Sequence, residues 1–245
     1  YKHNENHNKT WGNHMQTLRE FWKTFRLLPS AWLLLVQLAL LILYMLTSGD
    51  SEYRALTWSL GVLALLIIAK VIRQTPVFTF WGLVFVSGAF LFSILIFIGY
   101  GTPVIQVTAY SFEALAYFYA AYGLLRYMFA DRYLTKDELF AAGAVFTLIA
   151  WAFAFLYSIC QLLLPNSFQN PNQPQDLQVW LDLLFLSFSL QSATGLSDLM
   201  PISPAARVLT MLQMFGGVMY LAVVVSRLIA LQYIAHLPKQ SSHKE

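Results

Sequence analysis

The chain has 245 residues, of which 58% are hydrophobic and 11% are charged, and its formal net charge is +3. Its mean hydropathy is +0.57. A soluble domain carries about 25% charged residues, so this chain has too little polar surface to cover itself in water. The composition excludes a disordered chain and a nucleic-acid-binding module, and the single cysteine, Cys160, excludes a disulfide-stapled secreted domain. The high hydrophobic fraction and the low charged fraction indicate an integral membrane protein.

Six stretches of the chain are long and apolar enough to cross a bilayer as helices, which takes about 20 mainly apolar residues each. The fourth stretch is the weakest, because it contains Glu113 and several tyrosines. The sequence therefore predicts an all-α membrane protein with six transmembrane helices. The predicted spans are residues 31–47, 55–72, 77–99, 107–125, 139–164 and 205–234.

The positions of lysine and arginine indicate how the spans are oriented, because these residues are concentrated in cytoplasmic loops. With a cytoplasmic N-terminus, 13 of the 15 basic residues lie at the cytoplasmic ends of the spans. Only Arg54 and Arg207 then lie outside. We expect a multi-pass protein of the plasma (inner) membrane with both termini in the cytoplasm.

About 40 residues between the fifth and sixth spans do not fit one more crossing of the bilayer. Pro165 to Gln175 is rich in Asn, Gln and Pro and predicts an exposed external loop. Asp176 to Ser192 predicts a helix too short and polar to face lipid, with Asp176 as its N-terminal cap. Ala193 to Pro201 follows without helical periodicity. Irregular backbone at membrane depth must be buried or line a water-filled path, so this pattern indicates a re-entrant helix and pore loop.

The residues of this loop resemble a known family. Residues 187–201, SFSLQSATGLSDLMP, align without a gap with the pore signature of the potassium channel superfamily, S-F-x-T-x-T-T-V-G-Y-G-D-x-x-P. Gly195 falls on the first filter glycine, Asp198 on the aspartate that closes the filter, and Pro201 on the proline that follows. Arg207 matches a basic position at the start of the family's inner helix. The resemblance extends over residues 139–235.

The resemblance implies a homotetramer, because each chain supplies one pore loop and the family closes its filter with four. The permeant ion would be a monovalent cation, K⁺ or alternatively Na⁺, that binds at backbone carbonyls of the filter. No other cofactor is expected. Besides its own copies, the expected partners are membrane lipids and no nucleic acid. The filter segment, as residues 192–198 are called below, consists of Ser192, Ala193, Thr194, Gly195, Leu196, Ser197 and Asp198. The inner helix would have its hinge at Gly216 and Gly217 and its gate at Val223, Ser226 and Arg227.

The filter segment departs from the family pattern at several positions. Ala193 replaces the innermost threonine, Thr194 the valine, Leu196 the tyrosine and Ser197 the second glycine. A non-glycine residue held in the left-handed conformation costs about 1–2 kcal/mol, so we expect a filter altered in shape. The alternatives to a potassium channel are a weakly selective or nonselective Na⁺/K⁺ channel and a non-conducting membrane scaffold that retains the pore fold.

The first four spans do not carry the charges of a voltage sensor. Residues 107–125 contain no arginine, so we expect conduction that is not steeply voltage gated. Glu113 is either an intramembrane carboxylate site for a proton or cation, or a residue near the outer interface, one turn into its helix. The spans have no cluster of ionisable residues for catalysis, so no enzyme is expected.

These observations divide the chain into four parts. Residues 17–25 mix apolar and basic side chains and indicate an amphipathic helix or an anchoring extension of the first span. The expected parts are a cytoplasmic N-terminal tail (1–30), a four-helix transmembrane domain without an arginine sensor (31–135), a pore domain (136–235) and a cytoplasmic C-terminal tail (236–245).

Overall fold

The computed structural model describes residues 29–47, 79–130, 136–171 and 177–235. The regular elements of this part of the chain are six helices, in agreement with the predicted all-α class, and one pair of two-residue strands that was not predicted. In chain order the elements are α1 (Pro29–Thr47), α2 (Thr79–Phe97), α3 (Pro103–Ala130), α4 (Lys136–Leu163), β1 (Phe168–Gln169), α5 (Trp180–Gln191), β2 (Met200–Pro201) and α6 (Pro204–Ala235).

Three helices among the described residues are long and apolar enough to cross a membrane. They are Phe80–Phe97 in α2, Asp137–Leu163 in α4 and Pro204–Ala230 in α6. The predicted second span (55–72), the amphipathic segment (17–25) and the C-terminal tail (236–245) lie outside the described residues. So does the predicted N-terminal tail (1–30) apart from residues 29 and 30, which begin α1. The count of six spans therefore stays a prediction.

Helix α4 lies at the centre of the fold and contacts α1, α3, α5 and α6. Its contact faces are lined by fully buried alanines, including Ala141, Ala144 and Ala152, and small residues let helices approach closely. Larger rings fill the remaining space, as where Tyr117 of α3 stacks on Trp151 with ring centroids 5.8 Å apart. Because α4 fixes its neighbours, it sets the position of the short helix α5.

The predicted external loop at 165–175 is less exposed than expected. Phe168 is fully buried and contacts the ring of Tyr157, and β1 pairs antiparallel with β2 so that Phe168 faces Pro201. The Ser203 hydroxyl also donates to the Ser167 hydroxyl at 2.9 Å. The prediction was wrong for Ser167 and Phe168, which are buried. Phe168 is an apolar residue in a polar stretch, and its ring packs between α4 and α6. The pairing anchors the chain just after the filter segment.

Helix α5 begins at Trp180, four residues later than predicted. Its N-cap is Val179, which makes no side-chain capping bond, and Asp176, the predicted cap, lies outside the described residues. The turn before α5 is instead fixed by Gln161 of α4, whose side-chain amide donates to the Gln178 carbonyl (3.1 Å) and accepts from the Gln178 N–H (2.9 Å). A tertiary contact therefore decides where α5 starts.

Helix α6 begins at a sequence that favours helix initiation. Pro204 is its first residue, and the Ser203 hydroxyl accepts the Ala206 N–H at 3.1 Å as an N-cap. The helix then continues without a break through Gly216 and Gly217 to Ala235.

Candidate functional site

The filter segment starts directly after the last residue of α5, and most of it is exposed in the single chain. Its first turn ends α5 in a Schellman motif. The Ala193 N–H donates to the Leu190 carbonyl at 3.2 Å, and the Thr194 N–H donates to the Ser189 carbonyl at 3.0 Å. Ala193 occupies the left-handed position of this motif, with φ of 58°, where glycine is the usual residue.

Ser189, a buried residue of α5, holds three peptide groups of the filter segment. Its carbonyl oxygen accepts the N–H of Thr194 and, at 3.4 Å, the N–H of Gly195. Its hydroxyl accepts the N–H of Ser197 at 3.2 Å. One serine thus accepts hydrogen bonds from three backbone N–H groups, which therefore point toward α5.

This arrangement fixes the direction of three carbonyl groups. In a planar trans peptide, the N–H of one residue and the C=O of the residue before it point in opposite directions. Because the N–H groups of Thr194, Gly195 and Ser197 point toward Ser189, the preceding carbonyls point away from it. These are the carbonyls of Ala193, Thr194 and Leu196, and all three residues are exposed.

The electrostatics of this surface favour a cation. The carboxyl end of a helix carries about half a negative charge, and α5 ends at Gln191, next to the outward carbonyls. Gly195 adopts φ of 65° with no atom within 4 Å of a Cβ built on it. Glycine is needed there for backbone conformation rather than for space.

The outer half of the filter segment is built differently. Ser197 is not in the left-handed conformation, which among described non-glycine residues is adopted only by Asn166 and Ala193. The Ser197 hydroxyl instead accepts the Leu199 N–H at 3.2 Å. The cost expected for a left-handed Ser197 is therefore avoided. Left-handed backbone alternates along the segment at Ala193 and Gly195, and this alternation of hand ends at Gly195. Asp198 is exposed and lies within electrostatic reach of Asp182 in the first turn of α5.

A buried polar network, not identified from the sequence, lies behind α5. The Gln213 side-chain amide of α6 donates to the Ser187 hydroxyl (2.6 Å) and carbonyl (3.1 Å) and to the Gln191 side-chain oxygen (3.2 Å). Tyr157 of α4 donates its hydroxyl to the Gln213 side-chain oxygen. All four side chains are fully buried. The signal that could have revealed them is glutamine inside an apolar helix, since a buried amide needs hydrogen-bond partners.

The two predicted hinge glycines have different surroundings. A Cβ built on Gly217 would lie 2.6 Å from the carbonyl oxygen of Gln191 and 2.8 Å from its Cα, whereas a Cβ on Gly216 meets nothing within 4 Å. Gly217 therefore lets the last turn of α5 pack directly on α6. Its described role is close packing, and a hinge at this position stays a prediction.

The predicted gate residues lie in the C-terminal half of α6. Val223 and Ser226 are exposed in the single chain, whereas Arg227 is half-buried. The Arg227 guanidinium donates to the Met128 carbonyl near the end of α3 and lies 4.7 Å from the centroid of the Phe129 ring. The partial negative charge at the carboxyl end of α3 stabilises the guanidinium, and so does the face of the aromatic ring. Arg227 thus attaches α6 to α3 of the same chain.

Glu113 lies deeper in its helix than expected. Helix α3 begins at Pro103, so Glu113 is ten residues, or about 15 Å, from its start rather than one turn. The half-buried carboxylate accepts a hydrogen bond of 3.1 Å from the Ser93 hydroxyl of α2. Arg126, near the other end, is the single arginine of α3. The structure does not bring Glu113 together with the filter segment.

Comparison with known proteins assigns a family to the part of the chain that contains this site. Residues 142–232 match the model of a protein family described as Ion channel. This segment includes most of α4 and α6, all of α5 and the whole filter segment. No curated protein and no solved structure matches the chain. The matched segment is a pore-loop ion channel domain. This match confirms the resemblance of residues 187–201 to the potassium channel superfamily.

Proposed function

We propose that four copies of this chain surround an axis and conduct monovalent cations passively across the plasma membrane, K⁺ first among them. In this proposal α4 is the outer helix, α5 the re-entrant pore helix and α6 the inner helix. Residues 136–235 form the pore domain, and both termini are cytoplasmic. The ion would bind at carbonyl groups of the filter segment, contributed by all four copies.

The observation that carries the proposal is the direction of the three carbonyls held by Ser189. Carbonyl oxygens replace the hydration shell of a cation when several of them converge on one point. The carbonyls of Ala193, Thr194 and Leu196 point away from α5, and the negative end of α5 lies behind them. Rotation of this unit about an axis would form rings of oxygens that attract cations and repel anions.

The exposed surface of α6 supports the assembly of several copies. Met211, Phe215, Val218 and Val225 are among its large apolar residues exposed in the single chain. Exposed apolar patches of this extent mark contacts with another protein or with lipid. An inner helix of a tetramer has this property, because it faces its neighbours and the pore.

The proposal is tested by recording purified protein in planar bilayers with K⁺ on both sides. We expect a cation current that a pore-binding cation blocks. Gly195→Ala should reduce the current strongly, because it adds a second left-handed alanine near Ala193 and strains the backbone that aligns the carbonyls. Gly123→Ala on α3, where a Cβ also meets nothing within 4 Å, is the matched control and should conduct normally. No current from folded wild-type protein would favour the non-conducting scaffold instead.

A second candidate function, a weakly selective Na⁺/K⁺ channel, is favoured by Ser197. The alternation of backbone hand stops before this residue, so fewer rings of carbonyls are expected than in the family pattern. The double substitution Leu196→Tyr with Ser197→Gly restores the family residues. If the filter limits selectivity, this variant should prefer K⁺ over Na⁺ more strongly than the wild type. An unchanged preference would show that selectivity is set elsewhere.

Gating is proposed to depend little on voltage. Helix α3 holds one arginine, Arg126, and one acidic residue, Glu113. Moving one charge across the membrane contributes about 2.3 kcal/mol per 100 mV, so a steep response needs several mobile charges. We expect the open probability to change only weakly between −100 and +100 mV, a range of about 200 mV on this scale.

A further inference from the structure

The fully buried amide of Gln213 connects three helices at the base of the filter segment. Its oxygen accepts from Tyr157 of α4, and its nitrogen donates to Ser187 and Gln191 of α5. A side-chain amide offers one oxygen and two N–H donors, so the hydrogen-bonding capacity of Gln213 is used in full.

The two α5 partners of Gln213 are themselves fixed to α4. The Ser187 hydroxyl donates to the Ala150 carbonyl at 2.6 Å, and the Gln191 amide donates to the Phe146 carbonyl at 2.7 Å. The last turn of α5 is therefore held from both sides, by backbone carbonyls of α4 and by one side chain of α6. A network in which every member has partners is rigid, and the loss of one member leaves buried polar groups unpaired.

This network ends where the filter segment begins. Gln191 precedes Ser192 directly, and its backbone rests on Gly217, one helical turn beyond Gln213 on α6. Positions 213 and 217 lie on the same face of α6, because residues four apart share a face. The last turn of α5 packs on this face of α6. Ser189, whose hydrogen bonds fix the direction of the filter carbonyls, belongs to that turn.

We propose that Gln213 is a positioning residue that sets the ion preference of the filter segment, an inference that rests on the proposed cation conduction. Gln213 does not touch the ion. It fixes the height and rotation of the last α5 turn, and through Ser189 the direction of the carbonyls of Ala193, Thr194 and Leu196. A binding site that depends on fixed geometry functions less well when its groups are displaced by about 1 Å.

The test compares two buried glutamines of similar environment. Gln213→Met keeps the length of the side chain and removes its hydrogen bonds. Gln37→Met on α1 is the matched control, because Gln37 is 2% exposed and accepts one hydrogen bond of 2.5 Å from Thr147, away from α5. Gln213→Met leaves buried partners on α4 and α5 unpaired and should be less stable than the wild type. In Gln37→Met the Thr147 hydroxyl still donates to the Ala144 carbonyl at 2.9 Å, so this variant should lose little stability.

The readouts are the K⁺/Na⁺ permeability ratio from reversal potentials and the single-channel K⁺ conductance. For Gln213→Met we expect the permeability ratio to fall by about threefold to tenfold, because displaced carbonyls replace the hydration shell of K⁺ less well. For Gln37→Met both should equal the wild-type values. Equal values in the wild type and Gln213→Met would overturn the inference, as would an equal change in both variants.

A milder variant keeps the test decisive if Gln213→Met does not fold. Tyr157→Phe removes only the hydroxyl that donates to Gln213. It should change the same readout in the same direction by a smaller factor, and wild-type values in this variant would again overturn the inference. If the proposed function itself were wrong, the wild type would carry no cation current. This result differs from failure of the inference about Gln213, in which the wild type and the variants conduct alike.

Discussion

The packing surface that α4 and α6 offer to α5 is fully buried, whereas the contact between α2 and α3 is half-buried, and different interactions hold the two regions together. Around α5, side chains of α4, α5 and α6 bond to one another and to backbone carbonyls, with Gln213 at the centre. Between α2 and α3, aromatic rings provide much of the contact, as in the stacked pair Phe92–Phe112 with centroids 5.6 Å apart. A hydrogen bond also joins Ser93 to Glu113 there.

The difference shows where the protein needs fixed geometry. Ring packing is not directional and adjusts to small displacements, whereas a hydrogen-bond network has one arrangement that satisfies every group. The network lies next to the filter segment, and the ring packing lies away from it. The substitutions below test this contrast, beginning with the largest expected effect.

Gly217→Ala should be the most damaging small substitution. Its Cβ would lie 2.6 Å from the Gln191 carbonyl oxygen, and this backbone cannot retreat without breaking the hydrogen bonds of the network. Overpacking of this kind costs about 1–3 kcal/mol, and we expect a value near the upper end. The free energy of unfolding in mixed detergent micelles measures it.

The neighbouring glycine provides the control for this substitution. Gly216→Ala meets no atom within 4 Å and should stabilise α6 by about 0.5–1 kcal/mol, the difference in helix propensity between the two residues. Equal effects of the two substitutions would contradict the proposed packing of α5 on Gly217.

Gly88→Ala tests the other region with a nearly identical clash. Its Cβ would lie 2.5 Å from the ring of Phe112, a side chain that can turn, whereas Gly217 meets backbone. We therefore expect about 1 kcal/mol of destabilisation, less than for Gly217→Ala, by the same unfolding measurement. A cost at Gly88 as large as that at Gly217 would remove the contrast between the regions.

Ala193→Gly should produce a small gain in stability. Ala193 adopts φ of 58° in the Schellman motif of α5, and glycine there should stabilise the fold by about 0.5–1 kcal/mol because its strain is relieved. Asn166→Gly is the matched control, since Asn166 has φ of 61° and asparagine tolerates this conformation better. A loss of stability in Ala193→Gly would show that the alanine methyl makes a contact worth more than the strain.

The helices were predictable because hydrophobic length and turn residues determine them locally. The sequence located α4 and α6 within a few residues, and the spacing of Gly195, Asp198 and Pro201 identified the pore-loop segment. The start of α5 was not predictable from local signals. It depends on the bonds between Gln161 and the Gln178 backbone, which join residues 17 positions apart.

The filter support was also hidden from local analysis. Gln213 and Ser187 are 26 positions apart, and Tyr157 and Gln213 are 56 apart. Nothing in the sequence pairs them, although each is a polar residue in an apolar helix. Likewise, the departure at Ser197 indicated an altered filter, but not that the change in backbone hand would lie between Gly195 and Ser197.

The most direct test of the central claim is the reversal potential of purified protein in a planar bilayer, with K⁺ on one side and Na⁺ on the other. If carbonyls aimed by Ser189 form the conduction path, cations will carry the current, and the reversal potential will lie toward the K⁺ equilibrium potential. A clear conductance that reverses near zero would establish the weakly selective alternative. Folded, reconstituted protein without conductance at any voltage would contradict the proposed function.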